Sequence, residues 1–159
     1  MLRETPNQVD QFWKEKEAQY GAPPVFKGFA RYLGNTKSQA EDKPGLLYLI
    51  GNNLVFEDFE KQPGFFDSLA RRNKTIFKKT EFVIDPQQIK EILVISLENV
   101  KSKFARENTE SKPLAGLAKV FAIPVNEIVM EEGFSYFFEV IGKNDLSKAL
   151  KTGNDKASK

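Results

Sequence analysis

The stretch Gly45-Leu-Leu-Tyr-Leu-Ile-Gly-Asn-Asn-Leu-Val-Phe-Glu-Asp-Phe59 decides the fold of this chain. Two apolar runs, 46–50 and 54–59, flank Gly51-Asn52-Asn53. Glycine and asparagine tolerate the positive φ that a tight hairpin turn needs. The segment is therefore expected to form two antiparallel strands, with Tyr48 and Phe56 in the runs on either side.

On the amino-terminal side, Thr5 and Pro6 suit the N-cap and first position of a helix over 6–20. Val9, Phe12, Trp13 and Lys16 follow at helical spacing, and Gly21 stops the helix before Pro23-Pro24. Trp13 beside Phe12 is expected as an anchor into the core rather than a ligand platform. Residues 25–33 read as a strand, and the polar residues 34–44 as an exposed loop.

On the other side, Gln62-Pro63-Gly64 breaks the pattern and 65–79 behaves as an insertion. Strand signals return at 79–84 and 91–104, separated by Asp85-Pro86. Residues 117–130 are rich in β-branched side chains but interrupted by Pro124, which a central strand tolerates badly. They are expected to form two strands, or one bent at an edge. Glu131-Glu132-Gly133 is a turn before a last strand, 134–141. Asn144 or Asp145 then caps a helix over 144–151, and 152–159 is a polar tail.

The expected fold is thus α+β, mainly β. A bent antiparallel sheet or partly open barrel of about seven strands is capped by a carboxy-terminal helix and preceded by an extra amino-terminal one. With 159 residues, 1–24 form a helical extension and 25–151 one domain with an insertion at 60–80.

Composition narrows the function. A net charge of +2 is too small for a nucleic-acid binder, whose affinity rests on many phosphate contacts. The chain has no cysteine and no histidine. Disulfides, thiolate nucleophiles, serine–histidine triads and the usual zinc sites are therefore unavailable. No Gly-rich phosphate loop occurs either. No catalytic residue, metal site or cofactor is expected. No apolar run reaches the length of a membrane span, and the start lacks a signal-peptide core, so the cytoplasm is the default.

Three runs carry a resemblance. Gly45-Leu-Leu-Tyr-Leu-Ile with Asn53-Leu-Val-Phe56, then Ile95-Ser-Leu-Glu-Asn-Val-Lys-Ser102, then Ile128-Val-Met-Glu-Glu-Gly-Phe-Ser-Tyr-Phe-Phe138, occur in this order. They resemble the hairpins and the middle strand of pleckstrin-homology-like domains, and within these the GRAM branch, across about residues 25–151. Ile50 stands where that branch usually has threonine, and 60–90 make a longer excursion than its pattern. The resemblance implies a non-enzymatic adaptor or scaffold that binds a protein partner, with the partner adding along an exposed strand edge near Pro124. Family members that bind phosphoinositides tightly cluster Lys and Arg around the first hairpin. Here 46–50 carry no cation, and Glu41 and Asp42 dilute Lys27, Arg31, Lys37 and Lys43, so a specific inositol-phosphate pocket is not expected.

The sharpest candidate surface is 65–79. Arg71, Arg72, Lys74, Lys78 and Lys79 stand there against Asp67, a local excess of +4 beside Phe65, Phe66, Leu69, Ile76 and Phe77. Such a segment suits peripheral binding to an anionic membrane, the alternative to a protein partner. The competing reading is a solvated insertion whose rings cover the barrel mouth. Two acidic groups, Glu57/Asp58/Glu60 and Glu127/Glu131/Glu132, are read as ordinary strand and turn chemistry. Tyr32, Tyr48 and Tyr136 are expected at the core or rim with wet hydroxyls.

In a turnover screen against esters, phosphoesters and nucleotides the protein is expected to stay at background. A reproducible activity lost in a Glu57→Gln, Asp58→Asn or Glu131→Gln variant would overturn that expectation.

Overall fold

The quoted stretch pairs as its residues require. β2 (Ala40–Ile50) and β3 (Asn53–Asp58) run antiparallel from Gly45↔Asp58 to Ile50↔Asn53, with Gly51 turning the chain at φ 57°. Gly45 is needed for a different reason. A Cβ there would run into the backbone of Glu57 and Asp58, so only glycine lets β3 approach so closely.

The computed structural model describes residues 6–58, 79–142 and 145–157. Besides the hairpin it contains β1 (Pro24–Asn35), β4 (Glu81–Ile84), β5 (Ile89–Ser96), β6 (Pro124–Met130) and β7 (Ser135–Ile141). All seven strands form one antiparallel sheet in the order β4-β3-β2-β1-β7-β6-β5. It is not closed into a barrel, since β4 and β5 are its two edges. Helices α1 (Pro6–Tyr20) and α4 (Leu146–Ala157) flank it. Two more lie between β5 and β6: α2 (Leu97–Ala105) and the single turn α3 (Ala118–Phe121).

Side chains alternate across a strand, so a sheet has two faces to cover. One face carries Leu47, Leu49, Leu54, Phe56, Ile128, Met130 and Phe138, closed by Leu146 and Leu150 of α4. Aromatic rings fill its centre: Tyr32 lies 5.5 Å from Phe56 and 5.3 Å from Phe138. The opposite face carries Tyr48, Ile50 and Val55 under Trp13 and Tyr20. Further along it, Leu33, Ile95, Val125 and Phe137 lie under Val100 and Phe104 of α2. Burial on both faces is why 46–50 read as an unbroken apolar run rather than an alternation.

Several expectations require correction. Residues 40–44 are not loop: β2 begins at Ala40, and Arg31↔Pro44 and Tyr32↔Lys43 are register pairs with β1. Their polarity reflects exposed side chains on a paired backbone. Residues 97–104 are helix, not a continuation of the strand at 91–96. Ser96 caps it, its Oγ accepting from Asn99 N at 3.0 Å, and Leu97, Val100 and Phe104 share one face at helical spacing. In 117–130 the first part is the turn of helix α3 and the second is β6. Pro124 opens β6 opposite Ser96, where a missing N–H is tolerated, and β6 lies between β7 and β5 rather than at an edge. The last helix starts under Asp145, whose Oδ1 accepts from Lys148 N at 3.0 Å, and continues to Ala157, past the expected 151.

Phe138→Ala should remove about 3–5 kcal/mol of stability, because it empties the centre of the aromatic cluster. In a chain of this length that lowers Tm by roughly 10 °C. Val83→Ala on the exposed edge strand should change it little, and equal losses from the two would refute the placement of the core.

Candidate interaction surface

Two buried glutamates are the first groups to consider for chemistry. Glu57 of β3 points to the face covered by α1. Lys16 of α1 and the Tyr48 hydroxyl both donate to its Oε1, the latter at 2.6 Å, and Lys79 Nζ donates to Oε2 at 3.0 Å. Burial pushes this carboxyl up, but the hydrogen bonds from Lys16, Tyr48 and Lys79 outweigh it and hold the group below the usual carboxylate range. Burial and the bond to Glu57 push the Tyr48 phenol up. Its hydroxyl is therefore not wet, contrary to expectation. The Tyr32 phenol is pushed up to about 12 by burial, and its oxygen accepts from Asn35 Nδ2 at 3.0 Å.

Glu127 of β6 repeats the arrangement under α2. Ser135 Oγ donates to its Oε1 at 2.8 Å and Ser111 Oγ to its Oε2 at 2.5 Å, with Lys103 Nζ of α2 at 3.4 Å. Asp58 accepts from Thr80 N at 2.8 Å. Among the described residues no buried side-chain polar atom lacks a partner, and no cluster of carboxylates is arranged to hold a metal ion. These carboxylates hold helices and strands together through the donors that surround them.

Of the expected basic-aromatic surface, Phe65, Phe66, Arg71, Arg72, Lys74 and Lys78 lie outside the described residues. Lys79 lies within them and is turned to the sheet, 3.0 Å from Glu57 and 3.7 Å from Glu81. The cations near the first hairpin are engaged too. Arg31 makes a two-bond fork with Asp42, both at 3.0 Å, and reaches Glu139 at 2.6 Å. Lys37 pairs with Glu132 and Lys43 with Glu41, while Lys27 stacks over the Trp13 ring at 4.5 Å.

Two open hollows lie along β5. Two concavities run beside this edge strand and meet at Ile92. One, of about 360 Å³, lies between Pro86, Ile89, Lys90 and the α4 residues Ser147, Leu150 and Lys151. The other, of about 480 Å³, lies between Leu93, Val94, Pro113, Leu114, Lys119 and Pro124. Leu114 N donates to Val94 O at 2.8 Å, so the chain before α3 covers the far part of the edge.

Next to it, α3 projects Leu117, Val120 and Phe121, exposed by 76%, 73% and 81%, with Ile123 at 48%. Sequence reasoning missed this projection because the β-branched residues at 117–130 read as strand. The signal that separates the two is Gly116, which takes φ 58° before the helical turn, together with Pro113 and Pro124 at its flanks.

Among the described residues no helix is long and apolar enough to cross a membrane. No family model matches the chain, and no curated protein is similar to it. Among solved structures it is similar to the crystal structure of the C-terminal domain of an unknown protein from Leishmania infantum. That likeness has 15% identity over 91% of this chain and 95% of that one, with a TM-score of 0.48.

The depressed Glu57 carboxyl implies a pH dependence with a defined sign. A lowered folded-state pKa contributes stability above the unfolded value, about 4.3, which is lost as pH falls below it. Glu57→Gln is therefore expected to be less stable than wild type at neutral pH, by about 2 kcal/mol or more. The gap between the two thermal melts should narrow as pH drops below about 4. A gap that stays constant from neutral to acid would show that the charge on Glu57 contributes nothing.

Proposed function

We propose that this chain is a non-enzymatic adaptor of the pleckstrin-homology-like kind, and that it binds an extended segment of a protein partner along β5. The observation that carries this reading is the trough beside an edge strand, lined mostly by apolar side chains from Ile89 to Pro124. An edge strand offers backbone donors and acceptors to an added strand, and neighbouring hollows select its side chains. The near part of β5, residues 89–92, lies ahead of the bond from Leu114 and is where such pairing begins. Lys90, Lys119 and Lys151 line the trough against Glu91 alone, so a partner segment mixing apolar and acidic residues fits it best.

The kinship is supported by the Gly45 hairpin and by a terminal helix that sets Leu146 and Leu150 into one face of the sheet. Attachment to an anionic membrane through Phe65, Phe66, Arg71, Arg72, Lys74 and Lys78 is the second reading, resting on the charge concentrated there; Lys79, engaged by Glu57, is not part of it.

A phage-displayed library of random peptides tests the first reading. Selected peptides should be acidic and apolar, and their binding should shift backbone amide resonances of residues 89–94 and 147–151. Val94→Asp, at an exposed position in the trough, should repel these acidic peptides and weaken them by about tenfold or more with little change in Tm. Selection of no ligand, or ligands that map elsewhere, would overturn the proposal.

A further inference from the structure

Residues 112–124, Lys-Pro-Leu-Ala-Gly-Leu-Ala-Lys-Val-Phe-Ala-Ile-Pro, place four large apolar side chains in solvent side by side: Leu117, Val120, Phe121 and Ile123. Single exposed apolar residues are ordinary, but a contiguous group marks a contact surface. The projection is held firmly at its base. Leu114 N donates to Val94 O at 2.8 Å, Leu97 N to Ile123 O at 2.9 Å, and Ala122 N to Ala118 O at 2.9 Å. The backbone is thus tied to β5 and α2 at both ends, and the side chains are presented outward rather than folded back. The backbone therefore has little conformational entropy left to lose when they are covered.

Charge selects what covers them. From Ser111 to Asn126 the chain has two cations, Lys112 and Lys119, and no acid. Glu127, which follows, is buried against Lys103. A second copy docked on the same surface about a two-fold axis would set these lysines against their own copies with no carboxylate from the segment between them. A protein partner would need a hollow shaped to one helical turn and rimmed with acid. An anionic bilayer supplies both requirements without a dedicated shape: an apolar interior for a convex tip and negative headgroups for the lysines behind it.

We infer that α3 and its flanks form a membrane-insertion tip. Leu117, Val120 and Phe121 enter the boundary between headgroups and acyl chains of an anionic bilayer, and Lys112 and Lys119 meet the headgroups. The tip is separate from residues 65–79 and does not depend on partner binding at the trough. It is small, so attachment is reversible.

Sedimentation with vesicles tests this, using phosphatidylcholine alone or with roughly one third phosphatidylserine. Wild type should bind the mixed vesicles and release them at high salt, and should bind the neutral ones far less. Leu117→Ser with Phe121→Ser should weaken binding by about tenfold or more at unchanged Tm, since these side chains touch little of the protein. Lys112→Glu with Lys119→Glu should weaken it to a similar degree. The chain has no cysteine, so a fluorophore on a Val120→Cys variant reports its surroundings alone. Its emission should shift to the blue on mixed vesicles and be quenched by nitroxide placed high on the acyl chains.

Four results would overturn the inference: no vesicle binding by wild type; binding lost in Arg71→Glu, Arg72→Glu, Lys74→Glu but unchanged in the tip variants; a Tm drop of several degrees in the serine variant; or loss of a trough-selected peptide in that variant while vesicle binding persists.

Discussion

A sheet that is apolar on both faces cannot leave either one bare in water, and the arrangement of this molecule follows from that constraint. Leu47, Leu49, Leu54 and Phe56 face one way, while Tyr48, Ile50 and Val55 face the other. Each buried side chain of this size is worth about 1.5–3 kcal/mol when removed from water. Covering only one face would forfeit a large share of that. The carboxy-terminal helix closes the first face with Leu146 and Leu150. The second is shared between α1 over β2 and β3, and α2 over β5, β6 and β7.

Each of those two covering helices is tied down by the same device. A lysine of the helix reaches a buried glutamate on the sheet: Lys16 to Glu57 under α1, Lys103 to Glu127 under α2. Taking a carboxylate and an ammonium out of water costs several kcal/mol, so such pairs add little net stability by themselves. They stay favourable here because both oxygens of each carboxylate accept from donors. Tyr48 and Lys79 complete Glu57, and Ser111 and Ser135 complete Glu127. What the pairs supply is position. Apolar packing lets a short amphipathic helix slide or rotate at small cost, whereas a helix that moves away from its glutamate leaves a buried charge unpaired.

With both faces spent on covering helices, the hollows and exposed apolar side chains of the described residues lie at the margins of the sheet. β5 is an edge, and the long connection from it to β6 carries α2, α3 and the exposed apolar tip. The trough and the tip are neighbours because Lys119 and Pro113–Leu114 belong to the wall of one and the base of the other.

The sequence by itself determined the strands of the Gly45 hairpin, the extent of α1 from Pro6 to its stop at Gly21, and the final helix under Asp145. In each case the deciding residues are local: a turn glycine, a proline at a first position, a capping carboxylate. It also carried, unrecognised, the helical spacing of Leu97, Val100 and Phe104 behind the Ser96 cap, because β-branched residues nearby gave a strand signal of equal length. Only the tertiary structure decided that β6 is interior although it begins with proline, since neighbours in a sheet are set by long-range pairing. Only it made Glu57, read from the sequence as ordinary strand chemistry, a buried anchor, because Lys16 and Lys79 come from 41 and 22 residues away. The exposed tip belongs to the same class. Whether Phe121 is core or surface depends on what packs over it, and a single turn between two prolines leaves nothing in the described chain to do so.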